Sequence, residues 1–390
     1  MSNALQSTVI KRSLFAFAPL VVFVACSSGG DGGGGTTSNP PNPNSGTISG
    51  QKNFPSGNTP HNVTVSSNGA HLYTANINDS TISQFSVNAG TLTQLAAAIP
   101  TGSGPNQVVI HPNGQVVFTA DQGTNTVTRF TVGANGALAA NGTAHTFPGG
   151  SETNGIGFTN NPPGAGNQFA YVVNYTGGNV QAFTSDAAGN LTAVGGPVAT
   201  GNNPHNVNVD KAGRFVYISN HESNFVSGFK INGDGSLAPI NNAAGSPVTN
   251  LQGNDPTDNN PHWSAFDTTG QFLYVIAGVP PAMSTLKSYS INADGTLTQI
   301  GTTGPLAQCA HGHNVTVAPN NSFIYVACED SATVYSFQRG ANGVATNGVA
   351  TLVTAQNGAP GTAPSAVVDP TSSFLYVGVT DGVTVFNIQP

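Results

Sequence analysis

Between Pro60 and Leu95 apolar and polar residues alternate in four short runs: His61–Val65, His71–Ala75, Thr81–Val87 and Thr91–Leu95. Ser-Asn-Gly, Asn-Asp-Ser and Asn-Ala-Gly separate them. A period of two puts alternate side chains on opposite faces of a strand, and the separators are residues that tolerate positive φ or bond their own backbone. The segment therefore predicts four antiparallel strands joined by hairpins. Its first strand recurs at Pro60-His61, Pro105-Asn106, Thr153-Asn154, Pro204-His205, Pro261-His262, Gly312-His313 and Pro364-Ser365. The second strand repeats one aromatic, at Tyr73, Phe118, Tyr171, Tyr217, Tyr274, Tyr325 and Tyr376. The third does so at Phe85, Phe130, Phe183, Phe229, Tyr289, Phe337 and Phe386, mostly with an aliphatic two residues on the same sheet face. A four-stranded unit repeated in this way predicts an all-β, seven-bladed β-propeller whose repeated aromatics form the core between blades.

The two ends complete one blade. Gly46–Thr59 matches the fourth, outermost strand and exit loop of the other units, while Ser365–Pro390 supplies only three strands. An N-terminal outer strand completing the last blade closes the ring and removes an open sheet edge. Insertions are expected at Asn160–Gly166, Thr249–Asn260 and Gly278–Met283, on a scaffold where variable loops carry specificity.

Composition narrows the partners. Only 6% of the 390 residues are charged, against roughly a quarter in an ordinary soluble protein. Net charge is −7 with nine Lys and Arg in all, so there is no basic track for a phosphate backbone and no reason to expect nucleic acid. The same balance excludes charge-driven binding to an anionic membrane. A closed ring needs no second subunit to cover its edges, so a monomer is expected.

Residues 1–26 read as an export signal. Lys11 and Arg12 precede an apolar run, Leu14–Val24, that is short for a spanning helix. Phe23-Val24-Ala25-Cys26 then resembles the lipobox of bacterial lipoproteins, which implies lipidation at Cys26 as the only membrane attachment. Residues 27–45, SSGGDGGGGTTSNPPNPNS, form a flexible Gly/Ser/Pro/Asn tether, leaving 46–390 for the propeller. Ser27 after the cysteine resembles lipoproteins sent to the outer membrane. The remaining cysteines, Cys309 and Cys328, lie at one rim of blade six. In an exported protein they are expected as a disulfide; free thiols and metal ligation by Cys309 with His311 and His313 are the alternatives.

The first strands line the channel, so their opening residues ring one mouth: His61, Asn106, Asn154, His205, His262, His313 and Ser365. Asp121 ends a second strand at the same mouth, and His221, Glu222 and Glu329 lie just beyond such ends. Three readings stay open. His205, His262 and His313, with Glu329 or Glu222, are candidate acid–base catalysts, since imidazole titrates near neutrality. His61, Asn106, Asn154, Asp121, His221 and His311 are then candidate ligand-binding residues. Metal binding draws support only from His311-Gly312-His313, so no metal and no cofactor are expected. Or each polar residue simply bonds the turn entering its strand, as Asn and Ser in the same slot suggest.

Residues 46–390 resemble the seven-bladed lactonase family, which includes 6-phosphogluconolactonase-like proteins and the fungal carboxymuconate-lactonizing enzymes. The likeness rests on Pro-His-x-x-x-x-(Asp/Pro)-x-x-Gly-x-Phe-x-Tyr, clearest at Pro204–Tyr217 and Pro261–Tyr274, and on the tails Ile231–Ile240 and Ile291–Ile300. It implies a lactone-hydrolysing site at the channel mouth. Family enzymes typically carry Gly-Pro-Arg-His where this chain has Asn259-Asn260-Pro261-His262, and an Asn-Glu pair where it has Ala277-Gly278-Val279. The pattern Asp-x-Gly-x-(Asp/Asn)-x-Val persists at Asp121–Val127. After the leader the basic residues are Lys52, Arg129, Lys211, Arg214, Lys230, Lys287 and Arg339, and none opens a channel strand. A phosphorylated or carboxylated sugar lactone would lack its cationic clamp, so the expected substrate is a neutral lactone. The alternative from the same departures is a non-catalytic propeller on the outer membrane that binds a glycan or a protein.

Overall fold

The computed structural model describes residues 46–160, 168–241, 249–250, 260–278, 282–356, 358 and 361–390. The predicted leader, the tether and Cys26 lie outside the described residues, as does most of the three predicted insertions. No helix among the described residues is long and apolar enough to cross a membrane. Seven antiparallel sheets make up the ring, each with four strands in order from the channel outward, and in blades one and four a two-residue strand, Ile99–Pro100 or Thr249–Asn250, also pairs with the third strand. In blade one these are Pro60–Val65, His71–Asn76, Thr81–Asn88 and Thr91–Gln94. The later first strands are Pro105–Ile110, Thr153–Phe158, Pro204–Val209, Pro261–Phe266, Gly312–Val317 and Ser365–Val368. Each packs against the next, and the last against Pro60–Val65, so the ring is closed. The closing strand is Ile48–Pro55, paired with Gly382–Ile388 from Ile48↔Ile388 to Pro55↔Gly382. The seven-bladed ring with its N-terminal closure is thus the predicted one.

The cores lie between blades. Phe215, Tyr217 and Val226 of blade four pack with Leu273, Val275 and Tyr289 of blade five, all 3% exposed or less. The repeated tyrosine adds a polar stitch. Its hydroxyl donates to a glycine carbonyl in the third-to-fourth-strand turn of the next blade: Tyr73 to Gly136 (2.7 Å), Tyr171 to Gly235 (3.0 Å), Tyr217 to Gly295 (2.7 Å) and Tyr274 to Gly343 (2.8 Å). Tyr325 donates to Gly46 at 3.1 Å, carrying the stitch across the closure. Gly295 shows why the turn keeps glycine. Its φ is +87°, and a Cβ there would sit 2.5 Å from Ile240 and 2.7 Å from Phe215. Arg339, at the end of Thr333–Arg339, reaches from blade six back to blade five. There it bonds Asp267 (3.0 Å) and the Tyr274 hydroxyl (3.0 Å) and lies 4.9 Å over the Phe272 ring.

One irregularity positions the site. The ladder between first and second strands slips at the opening residue in six blades, between Pro60 and Asn62, Pro105 and Gln107, Thr153 and Gly155, Pro204 and Asn206, Pro261 and Trp263, and Gly312 and Asn314. His61, Asn106, Asn154, His205, His262 and His313 are therefore the extra residues of β-bulges. A bulge leaves its residue out of the ladder and re-aims the side chain, here toward the channel.

Asp121 contrasts with its counterparts. It ends the second strand of blade two, where blades one and four have Asn76 and Asn220. Those amides donate to Ser83 and Ser227, whereas the Asp121 carboxyl accepts from Thr126 and Thr128 and leaves Oδ1 unpartnered. Burial raises its pKa to about 6, against the opposing pull of its hydroxyl donors. The folded state thus binds this proton more tightly than the unfolded chain. Stability from this group is full below the unfolded carboxyl pKa and is lost as pH rises toward 6. Asp121→Asn should therefore stabilise the protein at pH 7 by about 2 kcal/mol, the advantage shrinking as pH falls from 6 to 4. Thermal melts of both proteins across that range provide the check.

Candidate functional site

The bulged histidines meet in the middle of the ring. Ring centroids are 3.9 Å apart for His205–His262, 4.1 Å for His262–His313, 4.6 Å for His61–His313 and 5.4 Å for His205–His313. They are 3–9% exposed. Three carry the same anchor: His61 Nδ1–H donates to Asn106 O (3.1 Å), His262 Nδ1–H to His313 O (2.9 Å) and His313 Nδ1–H to Pro364 O (2.6 Å). Each acceptor lies at or just before the start of the first strand of the next blade. The structural reading of these residues therefore has substance, but it uses only Nδ1. Nε2 of each ring is left with its lone pair for chemistry in the channel.

A second layer comes from the loops above. The residue after each second strand donates its N–H to the carbonyl just before the first strand: Tyr175 to Glu152 (2.9 Å), His221 to Asn203 (2.8 Å) and Glu329 to His311 (2.9 Å). Asn203 has φ +52° and Glu152 +49°, the left-handed turn that admits the chain into the bulge. In blade six this bond sets Glu329 beside His311. Glu329 Oε2 is 3.3 Å from His311 Nδ1 and 3.8 Å from His313 Nε2. The Cys309–Cys328 disulfide, with Cα atoms 5.2 Å apart, ties together the two segments that carry His311 and Glu329. It takes Cys309 out of the ligation alternative with His311 and His313, because its sulfur is no thiolate.

Burial dominates the electrostatics. It holds His205, His262 and His313 well below the ordinary imidazole pKa, with neighbouring histidines adding to the displacement. His221 is lowered by burial and by His311. His61 is lowered by burial, partly offset by the Glu329 carboxylate. These rings are neutral at pH 7, each with one donor and one acceptor nitrogen.

The candidates thus separate. His61, His205, His221, His262, His311, His313 and Glu329 converge. Asn106 and Asn154 occupy bulge slots of the same ring, with buried side-chain oxygens that have no partner. Glu222 is exposed and acts on His221 only through its charge. Asp121 is 0% exposed and spends its carboxyl on Thr126 and Thr128 within its own blade. Two residues escaped the sequence reading. The Tyr175 hydroxyl lies 3.4 Å from His221 Nδ1, and the Trp263 ring is 6.1 Å from His205 and 6.3 Å from His313. Tyr175 holds in blade three the position that His221 and Glu329 hold in theirs, and that register was the available signal. A cavity of about 400 Å³ opens at the other end of the channel, among Val65, Val109, Ile110, His111, Ile156 and Phe158. It is lined mainly by apolar groups and contains no carboxylate.

The model of the seven-bladed β-propeller lactonases matches residues 21–155 and 164–390. The chain belongs to that family. Among solved structures, a candidate 6-phosphogluconolactonase of Bacteroides fragilis is 22% identical, with TM-score 0.60 over 75% of this chain and 84% of that one. A Bacteroides uniformis protein of the same description is 20% identical, with TM-score 0.61 over 75% and 85%. The periplasmic gluconolactonase PpgL of Pseudomonas aeruginosa is 16% identical, with TM-score 0.62 over 75% and 85%. At such identities these likenesses show the fold. No curated protein matches the sequence.

Proposed function

We propose that the histidine-lined mouth hydrolyses an uncharged lactone. The observation that carries this is the convergence of His262 and His313 from the bulges with Glu329 from the loop layer, in a family of lactonases. His313 serves as base. Its Nδ1–H is fixed on Pro364 O, so Nε2 is the acceptor that takes a proton from a water entering the mouth, and Glu329 Oε2, 3.8 Å away, is beyond a direct bond but close enough to act through its charge. The water oxygen attacks the lactone carbonyl carbon while its proton passes to His313 Nε2. Glu329 steadies the imidazolium, and the side-chain amides of Asn106 and Asn154, in bulge slots of the same ring, are the neutral donors available to the developing oxyanion. The acyl–oxygen bond of the ring then breaks, and the imidazolium returns the proton to the leaving alkoxide. The product is an open hydroxy acid.

Substrate charge follows from the mouth. No Lys or Arg belongs to the converging set, so nothing there pairs bidentately with a phosphate or carboxylate. On the same reading the protein is an exported monomer held on the outer membrane through Cys26, its sparsely charged, net-negative surface presented to small diffusing sugars.

Base uptake by the full chain over a panel of neutral, carboxylated and phosphorylated lactones tests the proposal. Turnover of neutral lactones with none of the phosphorylated ones is expected. Preference for a phosphorylated lactone would contradict the charge argument. No turnover of any lactone would favour the non-catalytic propeller, whose support is the absence of the family's arginine and Asn-Glu pair.

A further inference from the structure

Six histidines in one mouth are more than general base chemistry uses, and they do not form one undifferentiated cluster. The ligand atoms of three trios lie within 4.8 Å of one another: His205, His262 and His313; His221, His262 and His311; and His61 and His313 with Glu329. Their geometries differ. Three imidazoles bound through nitrogen to one tetrahedral ion, at about 2.0–2.1 Å each, have ring centroids about 5 Å apart. His205, His262 and His313 are too close for that on two of three sides, at 3.9 and 4.1 Å. They pack on one another instead. His221, His262 and His311 stand at 5.0, 4.9 and 6.4 Å.

The unpartnered inner nitrogens single out the same trio. A histidine that binds a metal through one nitrogen commonly gives its other N–H to a carbonyl, carboxylate or hydroxyl, which fixes the tautomer and aims the ring. All three residues have that outer partner on Nδ1. For His262 it is the His313 carbonyl (2.9 Å), for His311 the Glu329 carboxylate (3.3 Å) and for His221 the Tyr175 hydroxyl (3.4 Å). On the inner side, Nε2 of His221 and Nε2 of His311 are both buried without any hydrogen-bond partner. A buried imidazole nitrogen without a partner is costly, and two pointing into one histidine cluster call for a common ligand. Glu329, with Asp330 4.0 Å from His311, supplies negative charge behind the trio.

We propose that His221, His262 and His311 bind one zinc-type divalent ion through Nε2, with the fourth position open to the channel mouth. Three neutral imidazoles suit zinc, cobalt, nickel or copper and not magnesium or calcium, which take oxygen ligands. The open position follows from exposure. His262 is 3% exposed at the base of the site, whereas His311 and Glu329 keep side-chain exposures of 19% and 24% toward the mouth. A three-histidine site with a free position is the arrangement that holds a water or a substrate oxygen. The site shares His262 and Glu329 with the hydrolytic reading, but its evidence is the trio itself and does not rest on that reading.

The test is metal content of the full chain after equilibration with Zn(II) and gel filtration, paired with the visible ligand-field bands of the Co(II) form. One ion per chain and an intense tetrahedral Co(II) spectrum are expected. His221→Gln and His311→Gln should each weaken binding by about 100-fold or more and lose the tetrahedral bands. Glu329→Gln should weaken it by about 10-fold, because the outer partner of His311 changes from carboxylate to amide. His205→Gln, outside the trio, should leave stoichiometry and spectrum intact, and circular dichroism identifies the variants that retain their fold. Less than stoichiometric binding by the wild type would overturn the proposal. So would binding indifferent to His221→Gln and His311→Gln, which would place the ion elsewhere, Cys26 being common to all the variants. Because the readout is metal and not turnover, a chain that binds the ion and hydrolyses nothing keeps this proposal and loses the hydrolytic one.

Discussion

His313→Gln lowers kcat/KM for a neutral lactone by about 100- to 10,000-fold, the usual worth of a positioned general base. Glutamine keeps bulk and polarity at the bulge but cannot take a proton. The first strands of blades two and three open on Asn106 and Asn154, so the slot itself accepts a side-chain amide. The fold should therefore persist, and the loss should fall on kcat more than on KM, because His313 moves protons during the reaction and does not hold the lactone in its ground state. Glu329→Gln should be milder, about 10-fold, since it removes the charge that steadies the imidazolium and leaves the base in place. Steady-state kinetics of the two variants, with melting curves beside them, separate the roles. Equal losses in both, or a His313→Gln enzyme within a few-fold of wild type, would remove His313 as the base.

Arg339→Met destabilises the protein by about 3 kcal/mol, although it lies far from the channel. Asp267 is 0% exposed and Arg339 10%, so removing the guanidinium strands a buried carboxylate. It also removes the bond to Tyr274 and the cover over Phe272. The loss should fall near the lower end for a broken buried pair, because Asp267 keeps the backbone N–H groups of Gln271 (2.9 Å) and Phe272 (3.0 Å). Adding Asp267→Asn should recover part of it, since the amide oxygen still accepts from that backbone without a charge to compensate. Urea unfolding of the single and double variants measures the coupling. A single variant within 1 kcal/mol of wild type would show that the turn carries Asp267 by itself.

The fold was legible because its signals are local and repeated. Alternation, turn residues and one aromatic in each second and third strand recur seven times, and the pairing of chain ends follows from a missing fourth strand. The ring of first-strand residues was legible for the same reason. What the repeat could not reveal is depth. Asp121 and Asn76 share a register, yet nothing in their spacing shows that the carboxyl is spent on Thr126 and Thr128. The bulges at His61, His205, His262 and His313 arise from the ladder slipping by one residue, which leaves no mark on an alternating pattern. The trio of His221, His262 and His311 comes from three blades and from two layers of the mouth. Its only local trace, His311-Gly312-His313, joins two residues that belong to different trios. Tyr175 and Trp263 were overlooked because an aromatic in such a chain reads first as core.

The most direct test of the hydrolytic site is base uptake with a neutral lactone by the wild type and by the triple variant His205→Ala/His262→Ala/His313→Ala, both shown to be folded. The account predicts steady acid release by the wild type and release at the uncatalysed rate by the variant. Equal release by the two proteins would contradict it, because the chemistry would then lie outside the ring of bulged histidines.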